Sequence, residues 1–400
     1  LGGLGFDAQG RFNSYAYATD RLGTVVGNAN KYGEDRADLG TRPVRWDVGS
    51  TVPVELESSG TSPSGLSFGT AVAISASGAI AGQVTKYLPD GTDVGYRAVR
   101  WAPGGTAVTE LGHIGTDPAG FTHNYANAIN SAGTVVGYGR KHGGSGQMLG
   151  FRPIRWDAGS TVATELGHLG LDPSGVTTGR AYDINETGVA VGEIERYDSG
   201  VFVGTRAVRW DPGGVDAIEL QHLGTDSSGS ARAVAYAINN AGTIAGESRK
   251  YGPSGQDLGN RAVKWVGGGP AVTELQQLEF NVAGAANSYV NDINRVEFIV
   301  GSALRYSEPN PMLRSRAVLW YPDGHIVDLN SLVPPEAGWW ILLRACAISD
   351  TGWITGIGWF DPDGPAGPIA RYQRLFLTQI PEPATLVLLG LAAAIVRRRG

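Results

Sequence analysis

Apolar and polar residues alternate with a period of two in short runs along nearly the whole chain. Residues 233–275 show the unit: "AVAYAIN", "GTIAGES", "RAVKW" and "AVTEL", each bounded by glycine, asparagine or another turn former. Alternation of this length between such breakers predicts strands with one buried face, four to a unit. The first two are joined by "NNAG" (239–242), whose counterparts are "SASG", "NSAG", "NETG" and "SDTG". An Asn or Ser opening the tetrad and a Gly closing it predict a type I turn with a left-handed last residue. A longer polar loop such as "KYGEDRADLGT" joins strands two and three, and a glycine turn such as "WDPGG" joins three and four.

The unit recurs. Trp46, Trp101, Trp156, Trp210, Trp265 and Trp320 are 55, 55, 54, 55 and 55 residues apart, and a glycine track runs Gly27, Gly82, Gly137, Gly192, Gly246, Gly301 and Gly356. Four short strands at this period favour blades arranged radially over a stacked solenoid. The expectation is an all-β fold: a seven-bladed β-propeller of seven four-stranded repeats over residues 1–379, then a short hydrophobic helix within 380–400. The last unit supplies "ACAIS", "GWITGIG" and "RLFLTQI" and then meets the tail, while "LGGLG" at 1–5 matches the residues that follow a fourth strand, such as "LGHLG" at 166–170. A closing strand is therefore expected from upstream of Leu1. The chain starts on Leu with no basic-then-apolar leader, so it is expected to begin inside a longer protein.

Composition narrows the function classes. Glycine, 60 of 400 residues, suits tight turns, and a formal charge of −6 opposes nucleic-acid binding. The single cysteine, Cys346, allows no internal disulfide and reads as a packed core thiol. In the tail, the uncharged run 384–396 would cover about 20 Å as a helix, short of the roughly 30 Å of a hydrocarbon core.

Repeat-equivalent polar residues form tracks. The arginine of each third strand (Arg42, Arg97, Arg152, Arg206, Arg261, Arg316, Arg371) begins a strand whose other residues are buried, and is expected to pair with a carboxylate or cap carbonyls. Its natural partners are Glu55, Glu110, Glu165, Glu219, Glu274 and Asp328. A basic–aromatic pair ends each second strand: Lys31–Tyr32, Lys86–Tyr87, Lys141–His142, Arg196–Tyr197, Lys250–Tyr251 and Arg305–Tyr306. These should crowd one rim, where they either stack on sugars and hold acidic polysaccharide or merely cover the hairpin ends. Trp339, Trp340 and Trp359 enrich the seventh unit in indole and join the candidate ligand rim; any single binding spot is expected there, where symmetry breaks. Asp7, Asp117, Asp172, Asp226 and Asn281, with Ser62, read as turn caps. No calcium loop is expected even at "DPDG" (361–364), and no metal or cofactor is called for.

Catalysis has no local signature. His113, His168 and His222 occupy one repeat position and so read as scaffold, and the glycine strings lead into strands rather than opening a helix on a phosphate. Two function classes stay open: a non-catalytic binding or matrix protein, and a propeller enzyme acting on envelope glycans.

The composite "AYAINNAGTIAGES…RAVKW…AVTELQQL" resembles the HAF family of bacterial extracellular repeats, over essentially residues 1–379. The resemblance implies extracellular placement and a propeller-like fold without assigned chemistry; these units are longer, owing to the "KYG" loop. The tail resembles a PEP-CTERM sorting signal in three ordered features: Pro381-Glu382-Pro383, the apolar segment, and Arg397, Arg398 and Arg399. That resemblance implies a Gram-negative envelope protein held transiently in the inner membrane and cut by an exosortase-type membrane protease. The arginines would keep the C-terminus cytoplasmic and the propeller outside. An exopolysaccharide or other envelope glycan as partner follows from this association alone.

Overall fold

The computed structural model describes residues 1–364, 367 and 370–380. Its chain divides into two compact units, Leu1–Asp257 with Trp265–Val272, and Leu258–Lys264 with Thr273–Gly400.

In the first unit, three antiparallel four-stranded meanders follow one another. They are β1 (Ser14–Thr19), β2 (Val25–Tyr32), β3 (Asp38–Trp46) and β4 (Pro53–Glu55); β5 (Gly69–Ile74), β6 (Ile80–Tyr87), β7 (Asp93–Trp101) and β8 (Val108–Glu110); and β9 (Asn124–Ile129), β10 (Val135–His142), β11 (Met148–Trp156) and β12 (Ala163–Glu165). A fourth comprises β13 (Gly179–Ile184), β14 (Ala190–Asp198), β15 (Val201–Trp210) and β16 (Ile218–Glu219), and β17 (Ala231–Ile238) and β18 (Ile244–Tyr251) come next. The strands β19 (Asp257–Trp265) and β20 (Val272–Glu274) fall at the division. The second unit holds a four-stranded meander of β21 (Ser288–Ile293), β22 (Ile299–Leu304), β23 (Ser315–Trp320) and β24 (Ile326–Asp328), and a three-stranded sheet of β25 (Trp339–Ile348), β26 (Trp353–Phe360) and β27 (Tyr372–Gln379).

This corrects the expected count of seven four-stranded blades. Five four-stranded blades stand complete within the two units, and the last sheet has three strands. The fourth blade is not separate either, because β15 pairs in parallel with β17 through Gly204–Ala231 and Thr205–Arg232. The cause is a shorter loop: Ser199 (φ 50°) and Gly200 (φ 82°) close a two-residue turn between Asp198 and Val201. Such a turn extends both of its strands. The start of β15 then runs beside β17, where other third strands make a single bond, such as Thr122 N–H to the Val94 carbonyl. The expected C-terminal helix falls outside the described residues. The described residues contain no α-helix, only 3-10 turns at Pro311–Leu313, Leu329–Leu332 and Pro335–Ala337, and 381–400 lie outside them.

The hairpin turns form as the tetrads dictate. In "NSAG" the Gly133 N–H bonds the Asn130 carbonyl, Gly133 is left-handed at φ 90°, and Asn130 Oδ1 accepts from Thr134 N–H. The Asn side chain also reaches forward, its Nδ2 donating to the Asn185 carbonyl, and Asn185 repeats this toward Asn239. The tryptophans reach the other way: Trp101 Nε1 donates to the Glu57 carbonyl and Trp156 Nε1 to Gly112, 44 residues earlier in each case. Each fully buried indole thus sits against the end of the preceding group. Core clusters accordingly straddle successive groups, as where Ala98 and Leu111 pack with Ala126, Val135, Ile154 and Trp156. In the second unit, Val300, Leu319, Leu342, Ile354 and Phe376 form the equivalent core.

Candidate functional site

The arginine track is structural, as expected. Arg97 is 3% exposed; its Nη1 donates to the Val94 and Thr122 carbonyls at 2.8 and 2.9 Å, and its Nε lies 3.6 Å from Glu110. Arg42, Arg152, Arg206 and Arg261 repeat this with Glu55, Glu165, Glu219 and Glu274. Burial lowers the Arg97 pKa, opposed first by the Glu110 charge.

The same carboxylates take up rim cations. Lys31 Nζ lies 2.7 Å from Glu55 and Lys86 Nζ 2.9 Å from Glu110, and Lys141 and Arg196 engage Glu165 and Glu219 likewise. Each glutamate therefore bridges one half-exposed cation and one buried guanidinium. An ion-paired ammonium is a poor anchor for a polyanion, so this geometry disfavours acidic polysaccharide on that rim. Tyr87 and Tyr197 lie over the loop that follows the preceding fourth strand, their backbone N–H groups bonding the Ser59 and Leu169 carbonyls, and Tyr32 N–H bonds the Leu4 carbonyl ahead of β1. Tyr251 lies against Gly224 in the same manner, one residue after Lys250. In the second unit, Tyr306 Oη accepts from Asn287 Nδ2 at 2.7 Å, and Arg305 is exposed with Nε 3.3 Å from Ser307 Oγ.

Of the seventh-unit tryptophans, Trp339 packs edge-on against Phe360 and Phe376. Trp340 is 39% exposed and carries the Arg371 guanidinium 3.8 Å above its ring, with Arg371 also bound to Asp361. Trp359 pairs with Ile341 and Gln373 across its sheet. Cys346 is half-buried, and burial raises its thiol pKa. Asp117 caps its turn, Oδ1 accepting from Ala119 and Phe121 N–H. His113, His168 and His222 are lowered in pKa chiefly by burial. No group of three or more His, Cys, Asp or Glu side chains that could hold a metal occurs among the described residues.

The sequence reading missed an aromatic strip in the first unit. Phe121 meets His123 edge-on at 4.7 Å, His123 and Tyr125 each approach Tyr96 within 6 Å, and Tyr125 stacks on Tyr138 at 4.9 Å and 27°. Arg140 lies over Phe121, and Arg180 lies over Tyr138. Arg180 pairs with Glu193 at 2.9 Å, and Tyr182 Oη donates to the same carboxylate at 2.6 Å. The rings are all half-buried. At one end Phe68, Thr85, Asp93, Gly95, Tyr96 and His123 line a cavity of about 270 Å³. The signal was present as broken symmetry: where Tyr96 and His123 stand, the preceding group has Thr41 and Phe68 and the following one Phe151 and Thr178.

Residues 379–399 match a model of the PEP-CTERM protein-sorting motif. The tail is a PEP-CTERM signal. It marks the chain for export and transient sorting at the membrane by an exosortase-type system; its Pro-Glu-Pro step and arginines lie outside the described residues. No curated protein matches the chain. Among solved structures it is similar to the β-propeller domain of the Trilobed protease from Pyrococcus furiosus, with a TM-score of 0.51 at 9% identity over 92% of this chain and 96% of that one. A prolyl endopeptidase structure gives a TM-score of 0.51 at 10% identity, over 92% of this chain and 47% of that one, so the chain spans about half its length. At these identities the likeness shows the fold alone: a β-propeller.

Proposed function

We propose that this exported propeller is a non-catalytic binding module, displayed at the surface of a Gram-negative cell or in its extracellular matrix, whose ligand is an envelope or matrix glycan. The carrying observation is the half-buried aromatic strip from Phe121 and Tyr96 to Tyr138, with the cavity at its end. Aromatic faces flanked by hydrogen-bonding side chains suit sugars, which present C–H faces and hydroxyl edges. The resemblance of the repeats to HAF units agrees with an extracellular place. The test is retention of the full chain on immobilised polysaccharide from the producing cell surface; passage without retention sinks the reading.

An envelope enzyme acting on glycans is the second reading, with the Tyr182–Glu193 contact as its candidate pair. Burial, then the Glu193 charge, push the Tyr182 phenol well above its ordinary pKa. A phenol that holds its proton so firmly serves as a donor in binding better than as a nucleophile.

A further inference from the structure

Building on that binding reading, we infer that the cavity between β7 and the start of β9 is the seat of one uncharged hexopyranosyl residue, gripped by Tyr96, His123, Phe68, Thr85 and Asp93. At about 270 Å³ it lies near the lower end of small-molecule pockets, roughly 300–1,000 Å³, which suits a single ring rather than a chain.

The polar groups are fixed by their other bonds. His123 Nδ1 accepts the Tyr96 backbone N–H at 2.9 Å, which places the imidazole proton on Nε2 as a donor. Burial and then the Arg140 charge favour this neutral ring. Asp93 spends Oδ1 on the Gly95 N–H at 2.7 Å and keeps Oδ2 as an acceptor. Thr85 is 3% exposed and adds a hydroxyl that can donate or accept. A donor, an acceptor and a hydroxyl against aromatic walls match the vicinal hydroxyls of a sugar. The Asp93 carboxylate opposes a uronate; of the neighbouring cations, Lys31 and Lys86 are held by Glu55 and Glu110, and Arg140 lies over the Phe121 and Phe151 rings. From the cavity mouth, Tyr125 and Tyr138 extend a stacked surface on which the next sugar of a chain can lie.

The pocket is built by a glycine. Gly95 is left-handed at φ 91°, and a Cβ there would strike the Thr122 carbonyl. Gly40 and Gly150 make the same close approach in the neighbouring groups, and here it carries two rings, Tyr96 lying 5.3 Å from His123.

The test is calorimetric titration of the full chain with maltohexaose, cellohexaose, mannohexaose and hexagalacturonate. At least one neutral hexasaccharide is expected to bind and hexagalacturonate to fail. Tyr96→Ala should weaken binding at least tenfold and Asp93→Asn about fivefold, with Trp340→Ala unchanged. Asp93 is exposed, so its variant keeps the test independent of folding. Neutral-glycan binding that survives both pocket variants overturns the pocket while leaving the binding function standing. Preference for hexagalacturonate overturns the charge argument, and no binding by any of the four counts against both readings.

Discussion

Asn124 lies directly opposite Gly139 on the paired strands β9 and β10, and the two have exchanged the sizes found in the groups on either side. In the group before, the same pair is Gly69 with Val84, and in the group after, Gly179 with Ile194. A Cβ on Gly139 would strike Asn124 Oδ1. The Asn124 amide is fully buried without a hydrogen-bond partner in the described residues, so the pair is held by fit alone.

Gly139→Val should therefore destabilise by about 1–3 kcal/mol through overpacking. Combined with Asn124→Gly, which restores the neighbouring arrangement and removes the unpaired amide, the loss should largely disappear. Urea denaturation of both single variants and the double gives the coupling; additive effects would contradict the exchange.

The shared carboxylates make a sharper contrast. Glu110→Gln leaves Arg97, nearly inaccessible to water, without its counter-charge and should cost about 3 kcal/mol. Lys86→Ala removes only the half-exposed partner and should cost under about 1 kcal/mol. Equal losses in thermal or urea unfolding would refute the view that the buried guanidinium is the member that matters.

Each indole latch should be separable from its packing. Trp156→Phe loses the bond from Nε1 to the Gly112 carbonyl and leaves that acceptor unpaired, at about 1–3 kcal/mol. Trp156→Ala adds a cavity and should reach about 3–5 kcal/mol or prevent folding. Near-ultraviolet circular dichroism with urea titration distinguishes the two.

Asp183 carries a pH dependence. Its oxygens accept the Ile184 and Ile238 N–H groups, each at 2.8 Å, yet burial outweighs them and pushes the carboxyl up to about 6 from 3.8. An acid raised on folding stabilises fully below about pH 4, and that contribution is lost as pH climbs through 6. The displacement is worth at most about 3 kcal/mol. The stability of the parent relative to Asp183→Asn should fall between pH 4 and pH 7, and a flat difference would remove the burial argument.

Much of this was legible because it is periodic. Strand positions, turn type and the pairing of Arg97 with Glu110 follow from alternation and from residues returning at one spacing. The number of complete blades was not, because it turns on whether strand edges meet. Two residues, Ser199 and Gly200, decide that for β15 and β17, and no hydrophobic pattern reports it. The rim cations misled for a related reason. Lys86 and Glu110 are 24 residues apart, and sequence offered Glu110 to Arg97 without showing that one carboxylate serves both. Tyr96 and His123 belong to no track, and their cavity exists through departure from the repeat.

The bonds between strand groups run in both directions along the chain. Asn130 and Asn185 tie each hairpin to the one ahead, and Trp101 and Trp156 tie each third strand to the group behind. A change of length inside a meander breaks two ties at once, whereas loss or gain of a whole period renews them all. The chain can therefore grow or shrink only in steps of one repeat, with the loop between second and third strands as the place where single residues come and go. The 54-residue spacing from Trp156 to Trp210 contains such a change at the shortened turn of the fourth group.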